Sequence, residues 1–140
     1  MRLWHQKLIP YLDRQRLLGQ HRECAALRGA GWGRPHATVN YVFTHHPEQL
    51  VAYHFLVMNE MKRRGYNPDK IWYNQDWRGS TLGEQQSWVD PKATGGYIIN
   101  ATTNGVMIYP EHNDAYLQEC IQLLKDKNAP INWEEVPDEL

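Results

Sequence analysis

The longest amphipathic segment of the chain, residues 47–64, reads PEQLVAYHFLVMNEMKRR and constrains the fold most strongly. Side chains that a core would accept recur along it at spacings of three and four residues: Leu50, His54, Val57 and Met61. Pro47 suits the first helical position, the segment ends in basic residues, and Gly65 follows as a stop. A helix with one apolar stripe must bury that stripe, so we predict a mainly α fold.

Two further segments have helical patterns. Residues 11–28 form the first, which the glycines of RGAGWG would end. Residues 113–127, NDAYLQECIQLLKDK, form the second, with Asn113 as its N-terminal cap. One face of this second helix would be apolar: Leu117, Cys120, Ile121 and Leu124.

The segment between the second and third predicted helices, residues 66–110, is rich in Gly, Trp and Tyr. It contains YIINATTNGVMIY, where an Asn-Gly pair stands among β-prone residues, so a β-hairpin is predicted about Asn104 and Gly105. We therefore expect a single compact domain, residues 1–140, with about three helices. A small β-hairpin insertion would lie at about 80–108, and an acidic tail at 129–140.

Composition limits the class of protein. The chain has 140 residues, of which 41% are hydrophobic and six are Trp, so we expect one globular domain and not a disordered chain. Its two cysteines, Cys24 and Cys120, lie far apart without the spacing of a zinc site, which favours a reducing cytoplasm. We find neither a signal-peptide pattern nor an apolar run that approaches the roughly 20 residues of a membrane span.

Charge is spread unevenly along the chain. The net charge is only −1, but residues 1–36 contain seven Arg or Lys and only two acids, Asp13 and Glu23. The last ten residues, INWEEVPDEL, contain four acids and no base. The N-terminal part could therefore present a basic face to a polyanion, which the overall charge conceals.

Glu23 is the single acid of the basic stretch LLGQHRECAALRG. On a helix, Arg16, Gln20 and Glu23 are spaced i, i+4 and i+7 and share one stripe. Arginines on such a face would hold phosphates, while the carboxylate acts on protons or on a sugar. An ordinary surface ion pair of Glu23 explains the same spacing and is favoured when spacing alone is considered.

Other clusters of reactive side chains have weaker patterns. His45, His46 and His54 would be the ligands of a metal-dependent hydrolase, but no acid completes a known ligand spacing, and helix-entry and core histidines are favoured. A triad of Asp13, His21 and Cys24 has no strained-turn motif to support it. The aromatic side chains of the middle segment could stack on unpaired bases, although core packing is commoner: Trp72, Tyr73, Trp77 and Trp88.

Several segments, in order along the chain, resemble the pyrimidine-dimer DNA glycosylases of the phage endonuclease V type. The chain opens with MR, and QRLLGQHRE follows, with Arg22 and Glu23 at the position of that family's Arg-Glu pair. FLVMNEMKRRGYN resembles the end of the family's long second helix. WRG at 77–79 and YPEHN at 109–113 resemble shorter family segments.

The resemblance implies a DNA-repair enzyme, a DNA glycosylase that is also an abasic-site lyase and needs neither metal nor cofactor. In that family the N-terminal amine attacks C1′ of the damaged nucleotide, an imine forms, and elimination cuts the strand on its 3′ side. An α-amino group suits this role because its pKa is about 8, roughly two units below that of lysine. By this resemblance Met1 and Glu23 are catalytic, while Arg22 and Arg2 hold phosphates.

The chain departs from the family pattern at several positions. Residue 2 is Arg, which is a poor context for removal of Met1, so the amine would be that of Met1 itself. Arg16 replaces a family histidine, and Ala26 stands where the family has an arginine, for which Arg28 is the nearest substitute. The tail is acidic where the family's is aromatic and basic. The lesion therefore stays open among a pyrimidine dimer, another modified base and an abasic site.

The predicted partner is double-stranded DNA with a damaged or abasic nucleotide. The candidate DNA-binding residues share a position on or near the basic N-terminal part: Arg2, Arg16, Arg22, Arg28, Trp32 and Arg34. Trp32, in the loop GAGWGRPH, would be a wedge or stacking residue. We expect a monomer in the cytoplasm, associated with the nucleoid. The alternative function is a non-catalytic nucleic-acid-binding protein on the same fold.

Overall fold

The computed structural model describes residues 1–140 and consists of helices joined by turns and loops. Its α-helices are α1 (Arg14–Arg28), α2 (Pro47–Arg63), α3 (Gly79–Leu82), α4 (Pro91–Asn104) and α5 (Asp114–Asp126). Short 3-10 turns span Gln6–Tyr11, Asn40–Thr44, Lys70–Tyr73 and Trp133–Glu135. No helix combines the length and the apolar character that crossing a bilayer requires.

Helix α2 lies at the centre of the fold. The four side chains that predicted its buried face are all buried: Leu50, His54, Val57 and Met61. Helices α1 and α4 both pack along α2, and the 3-10 turn Gln6–Tyr11 packs against it as well. One cluster of buried apolar side chains runs from Leu3 to Ala129 and joins these elements, so the N-terminal residues are part of the core.

The predicted end of the first helix and the predicted cap of the last are confirmed, but α1 begins at Arg14 and not at residue 11. Asp13 caps α1 by accepting from the backbone of Arg16, and Asn113 caps α5 by accepting from the Tyr116 N–H at 2.9 Å. Gly29 and Gly31 follow the last turn of α1, where neighbouring backbone carbonyls leave no room for a side chain. A Cβ atom on Gly31 would lie only 2.7 Å from the Ala26 carbonyl oxygen.

The predicted β-hairpin is wrong, because the structure contains no β-strand and only an isolated bridge between Trp77 and Glu84. Asn104 is instead the last residue of α4, and Gly105 caps that helix in the left-handed conformation, with φ of 66° and ψ of 22°. An Asn-Gly pair serves both structures, since a tight hairpin turn and a helix C-terminus each require a positive φ. The expected three helices are five.

Helix α4 forms although its sequence, PKATGGYIINATTN, has poor intrinsic helix propensity. Asp90 caps its first turn by accepting from the Lys92 N–H at 3.0 Å, and Pro91 occupies the first helical position. Tyr97, Ile98 and Ala101 pack against the main core on the side that faces α2. This burial outweighs the two internal glycines and the β-branched residues.

Candidate active site at the N-terminus

Helix α1 presents Glu23 to the first residues of the chain. The backbone N–H of Arg2 donates to Glu23 Oε2 at 3.1 Å, and Gln20 Nε2 donates to the same oxygen at 3.2 Å. The other carboxylate oxygen, Oε1, makes no hydrogen bond within the chain. Glu23 is half-buried. It therefore contacts the N-terminus and makes no ion pair with Arg16.

The terminal amine of Met1 lies one residue from this contact and forms no ion pair with Glu23. Because Met1 directly precedes Arg2, covalent geometry keeps the two backbone nitrogens within about 4 Å of each other. The Met1 carbonyl accepts a hydrogen bond from the Thr38 hydroxyl, and Met1 is 44% exposed. A main-chain amine and a carboxylate thus share one site that is open to solvent.

A cavity of about 280 Å³ adjoins the N-terminal residues. The Arg2 guanidinium reaches its wall, where it donates to Glu119 Oε2 at 2.9 Å and to the Tyr116 hydroxyl at 3.3 Å. The cavity lining brings distant segments together: Arg2, Thr38, Tyr41, Glu111, Tyr116 and Glu119. Sequence reasoning missed Thr38, Tyr116 and Glu119, since nothing local in their segments marks them as neighbours of residue 2.

Arg22 and Arg34 are the exposed members of the predicted arginine set. Arg22 makes neither a hydrogen bond nor an ion pair, and Arg34 donates only from Nε to the Ala30 carbonyl at 2.8 Å. Arg16 is half-buried and forms an ion pair with Asp13 at 3.2 Å. It lies about two helical turns from Glu23, a rise of roughly 10 Å. Arg22 is therefore the exposed arginine next to the carboxylate.

Arg28 is fully buried. Its guanidinium donates to the carbonyls of Trp72 at 2.9 Å, Asn74 at 2.8 Å and Trp77 at 3.1 Å. A further contact joins its Nη1 to His54 Nδ1 at 3.0 Å. Burial lowers the pKa of Arg28 to about 10. This side chain has no surface for a phosphate and fastens the loop that follows α2.

Trp32 is half-buried and packs edge-on against two aromatic rings. Its ring centroid lies 5.2 Å from that of Phe43 and 5.8 Å from that of Trp88. The loop of Trp32 is thereby attached to the segment before α4. In this packing the side chain contacts the protein and is not free to project as a wedge.

The histidines that suggested a metal site face different partners. His45 Nε2 lies 2.8 Å from Glu111, the His46 N–H donates to Gln49, and buried His54 meets His21 and Arg28. No group of three or more His, Cys, Asp or Glu side chains is arranged as metal ligands.

Asp13, His21 and Cys24 do not form a catalytic triad, because each has a different partner or role. Asp13 caps α1, and His21 Nδ1 lies 2.7 Å from His54 Nε2. Cys24 is fully buried, and burial raises the pKa of its thiol. A protonated, inaccessible thiol is not a nucleophile.

The fold and site together define a helical protein whose terminal amine and a helix carboxylate face solvent beside an exposed arginine. The family model described as pyrimidine dimer DNA glycosylase matches residues 1–74, and the chain belongs to this family. The resemblance predicted from the sequence is confirmed. The family is one of DNA glycosylases, which is consistent with a role in DNA repair and implies DNA as the substrate. Neither the curated proteins nor the solved structures gave a significant match.

The family match covers the N-terminal half of the site. It includes Met1, Glu23, α1 and α2, and it ends before α3 begins. Helices α4 and α5 lie outside it, although α5 supplies Tyr116 and Glu119 to the cavity beside Arg2.

Proposed function

We propose that the protein is a metal-independent DNA glycosylase and abasic-site lyase that acts on damaged duplex DNA through the Met1 amine. The observation that supports this best is the hydrogen bond from the Arg2 N–H to Glu23 Oε2 at 3.1 Å, which holds the residue next to the amine against the carboxylate. An amine and a carboxylate that adjoin one site can act as the nucleophile and the proton-transfer group that imine chemistry requires.

The reaction begins when the neutral amine bonds to C1′ of the deoxyribose as the bond from C1′ to the base breaks. The nitrogen passes a proton to the departing base. The C1′–O4′ bond then opens, O4′ receives a proton from Glu23, and a protonated imine remains. Glu23, now ionised, removes a C2′ proton, and the C3′–O bond breaks to cut the strand on the 3′ side. Glu23 thus gives one proton and regains one.

The DNA backbone would be held by the arginines that the fold leaves accessible. Arg22 and Arg34 are exposed, and Arg2 and Arg16 are partly accessible with acidic partners. Arg28 and Trp32 are not part of this contact surface, because Arg28 is buried and Trp32 packs against two aromatic rings. The attacked nucleotide must leave the stack to expose C1′, at a cost of a few kcal/mol that bending the duplex helps to offset.

We propose a pyrimidine dimer as the lesion, on the basis of the family, with abasic sites as the simpler substrate of the lyase step. We also propose that residues 1–140 act as one domain and as a monomer. The cluster of buried side chains that joins Leu3 to Ala129 supports the single domain.

Borohydride trapping tests the proposal. Purified untagged protein is incubated with a duplex that carries one abasic site, the mixture is reduced, and the adduct is located by mass spectrometry. We expect a covalent adduct on the Met1 amine, and none after the amine has been acetylated. If protein with a free, unformylated N-terminus binds the duplex without forming an adduct, the lyase proposal fails and a non-catalytic DNA-binding protein is the better account.

A further inference from the structure

Gln20 lies where the N-terminal segment crosses helices α1 and α2, and it is 1% exposed. Its Nε2 donates to the Arg2 carbonyl at 2.9 Å and to Glu23 Oε2 at 3.2 Å. Its Oε1 accepts from the Trp4 N–H at 2.7 Å. One buried amide therefore joins the backbone on both sides of Leu3 to the carboxylate of the active site.

The neighbours of Gln20 fix the orientation of its amide. The Trp4 N–H can only donate and the Arg2 carbonyl can only accept, so the oxygen must face Trp4 and the nitrogen must face Arg2. The Tyr53 hydroxyl, on α2, lies 3.0 Å from Gln20 Oε1 and donates to the Trp4 carbonyl at 2.6 Å. Both amide protons are thus used, one by the backbone and one by Glu23.

This arrangement divides the Glu23 carboxylate into two unlike oxygens. Oε2 is occupied by the Gln20 amide and the Arg2 N–H, whereas Oε1 has no partner in the chain. Because Oε2 accepts two hydrogen bonds, the carboxylate cannot rotate freely, and the orientation of the unbonded Oε1 is fixed as well.

We propose that Gln20 is a positioning residue that holds Glu23 and the Arg2 backbone in register, so that Glu23 Oε1 is the oxygen that exchanges protons with the substrate beside the Met1 amine. This inference rests on the proposed function. Gln20 itself is too buried to touch DNA, and it acts through Glu23 and the N-terminal backbone.

An amide is the side chain that this position needs. Its two donors face a carbonyl and a carboxylate, and its acceptor faces a backbone N–H. A carboxylate at the same position would keep the acceptor but place a second negative charge against Glu23, so that one proton would be retained between the two acids.

The decisive variant is Gln20→Glu, because it keeps the acceptor for Trp4 and exchanges only the donors. Several charged or titratable groups lie near Glu23 or contact its hydrogen-bond partners: the Met1 amine, Arg2, Arg22, Cys24, Tyr53 and, through Arg2, Tyr116 and Glu119. None of them changes in this variant.

Cutting at an abasic site is measured under single-turnover conditions between about pH 5 and pH 9, at pH values where circular dichroism shows a folded protein.

We expect the ratio of variant to wild-type rate to fall at least tenfold as the pH rises. At low pH the introduced acid is protonated and donates to Glu23 as the amide does, whereas at high pH the two carboxylates repel each other. Gln122→Glu is the matched control. Exposed Gln122, on α5, donates to Asp126 Oδ1 at 2.8 Å, so this substitution also places two acids side by side, but away from the site. Its rate ratio is expected to stay constant.

Two more variants keep the proposal testable if Gln20→Glu folds poorly. Gln20→Leu removes every amide contact and is expected to lower the cutting rate ten- to a hundredfold at all pH values, without weakening DNA binding. Tyr53→Phe removes the hydroxyl from the far side of the amide and is expected to lower stability without introducing the pH dependence.

The outcomes separate this proposal from the proposed function. If the wild type forms no imine adduct, the proposed function fails. If the wild type is active but the Gln20→Glu ratio stays constant across pH, or Gln20→Leu cuts at the wild-type rate, Gln20 is only a structural residue and the inference is overturned.

Discussion

Glu23 and Arg28 lie five positions apart on the same helix, and their surroundings are opposite. Glu23 is half-buried, meets the N-terminal backbone, and keeps one carboxylate oxygen free. Arg28 is fully buried, and its guanidinium faces backbone carbonyls of the segment after α2 together with His54. One charge is thus available for chemistry, and the other has been used to build the fold.

The difference teaches that the role of a charge depends on what folds over it. Arg28 suits an enclosed position because its donors are spread over a planar guanidinium and reach carbonyls that the single ammonium nitrogen of a lysine would have to share. Glu23 stays useful because only the narrow N-terminal segment crosses it. Variants at the exposed and at the buried end of α1 test this contrast.

The largest effect is expected for Glu23→Gln. The variant keeps an oxygen to accept from Arg2 and Gln20 but loses the charge, so strand cutting at an abasic site should fall by about 10²–10⁴-fold, the usual worth of a proton-transfer group. Single-turnover cutting assays and a binding titration would measure both properties, with binding retained. Glu134→Gln, an exposed acid of the tail, is the control and should cut normally. Full cutting by Glu23→Gln would contradict the assignment.

Arg28→Ala is expected to have the next largest effect, which should fall on the stability of the fold and not on the reaction itself. Removing the guanidinium leaves buried carbonyls and the Nδ1 atom of His54 without partners, so the free energy of unfolding should fall by about 3 kcal/mol or more. Urea denaturation would measure it, with Arg34→Ala as the exposed control, expected within about 0.5 kcal/mol of wild type. A stable Arg28→Ala protein with weakened DNA binding would show instead that Arg28 contacts phosphate.

Low pH should lower the stability of the folded protein, because two buried histidines must take up protons when the chain unfolds. His112 is buried, and burial lowers its pKa to about 3, against about 6.5 for an unfolded histidine. The folded state therefore binds fewer protons between those two values, so stability is flat above about pH 7 and falls as the pH decreases through this window. The same direction holds for His54, whose pKa burial holds well below its usual value.

We expect the free energy of unfolding to drop by roughly 3 kcal/mol from pH 7 to pH 4 through His112, and further through His54. Urea denaturation at several pH values would measure the slope. His112→Gln should make the slope shallower while His54 keeps part of it, whereas His36→Gln, at an exposed position, should leave the slope unchanged. An unchanged slope in His112→Gln would mean that another group causes the acid sensitivity.

The smallest effect is expected for Arg22→Ala, one position before Glu23. Arg22 is exposed and unpaired, so its loss should leave stability within about 0.5 kcal/mol of wild type. DNA affinity should weaken modestly, and the slope of its logarithm against log salt should become shallower by about 1. Lys92→Ala, on α4 outside the family match, is the control. Equal salt slopes for Arg22→Ala and wild type would remove Arg22 from the phosphate contacts.

The sequence by itself determined the elements whose information is local. Helices α2 and α5 could be predicted because apolar spacing, the first-position Pro47 and the cap Asn113 act within one or two turns, and the glycines after α1 marked its end. The Arg22–Glu23 pair could be found for a related reason, since the order of short motifs along the chain already resembled the family that matches residues 1–74.

Only the tertiary structure decided what depends on distant neighbours. Asn104 and Gly105 satisfy either a hairpin or a helix end, and packing of α4 on α2 selected the helix. Arg22 and Arg28 look alike in the sequence, but the loop after α2 covers just one of them. Gln20 became part of the site because the N-terminal segment crosses α1 there. Burial and hydrogen bonding between segments set these outcomes, and both require the folded chain.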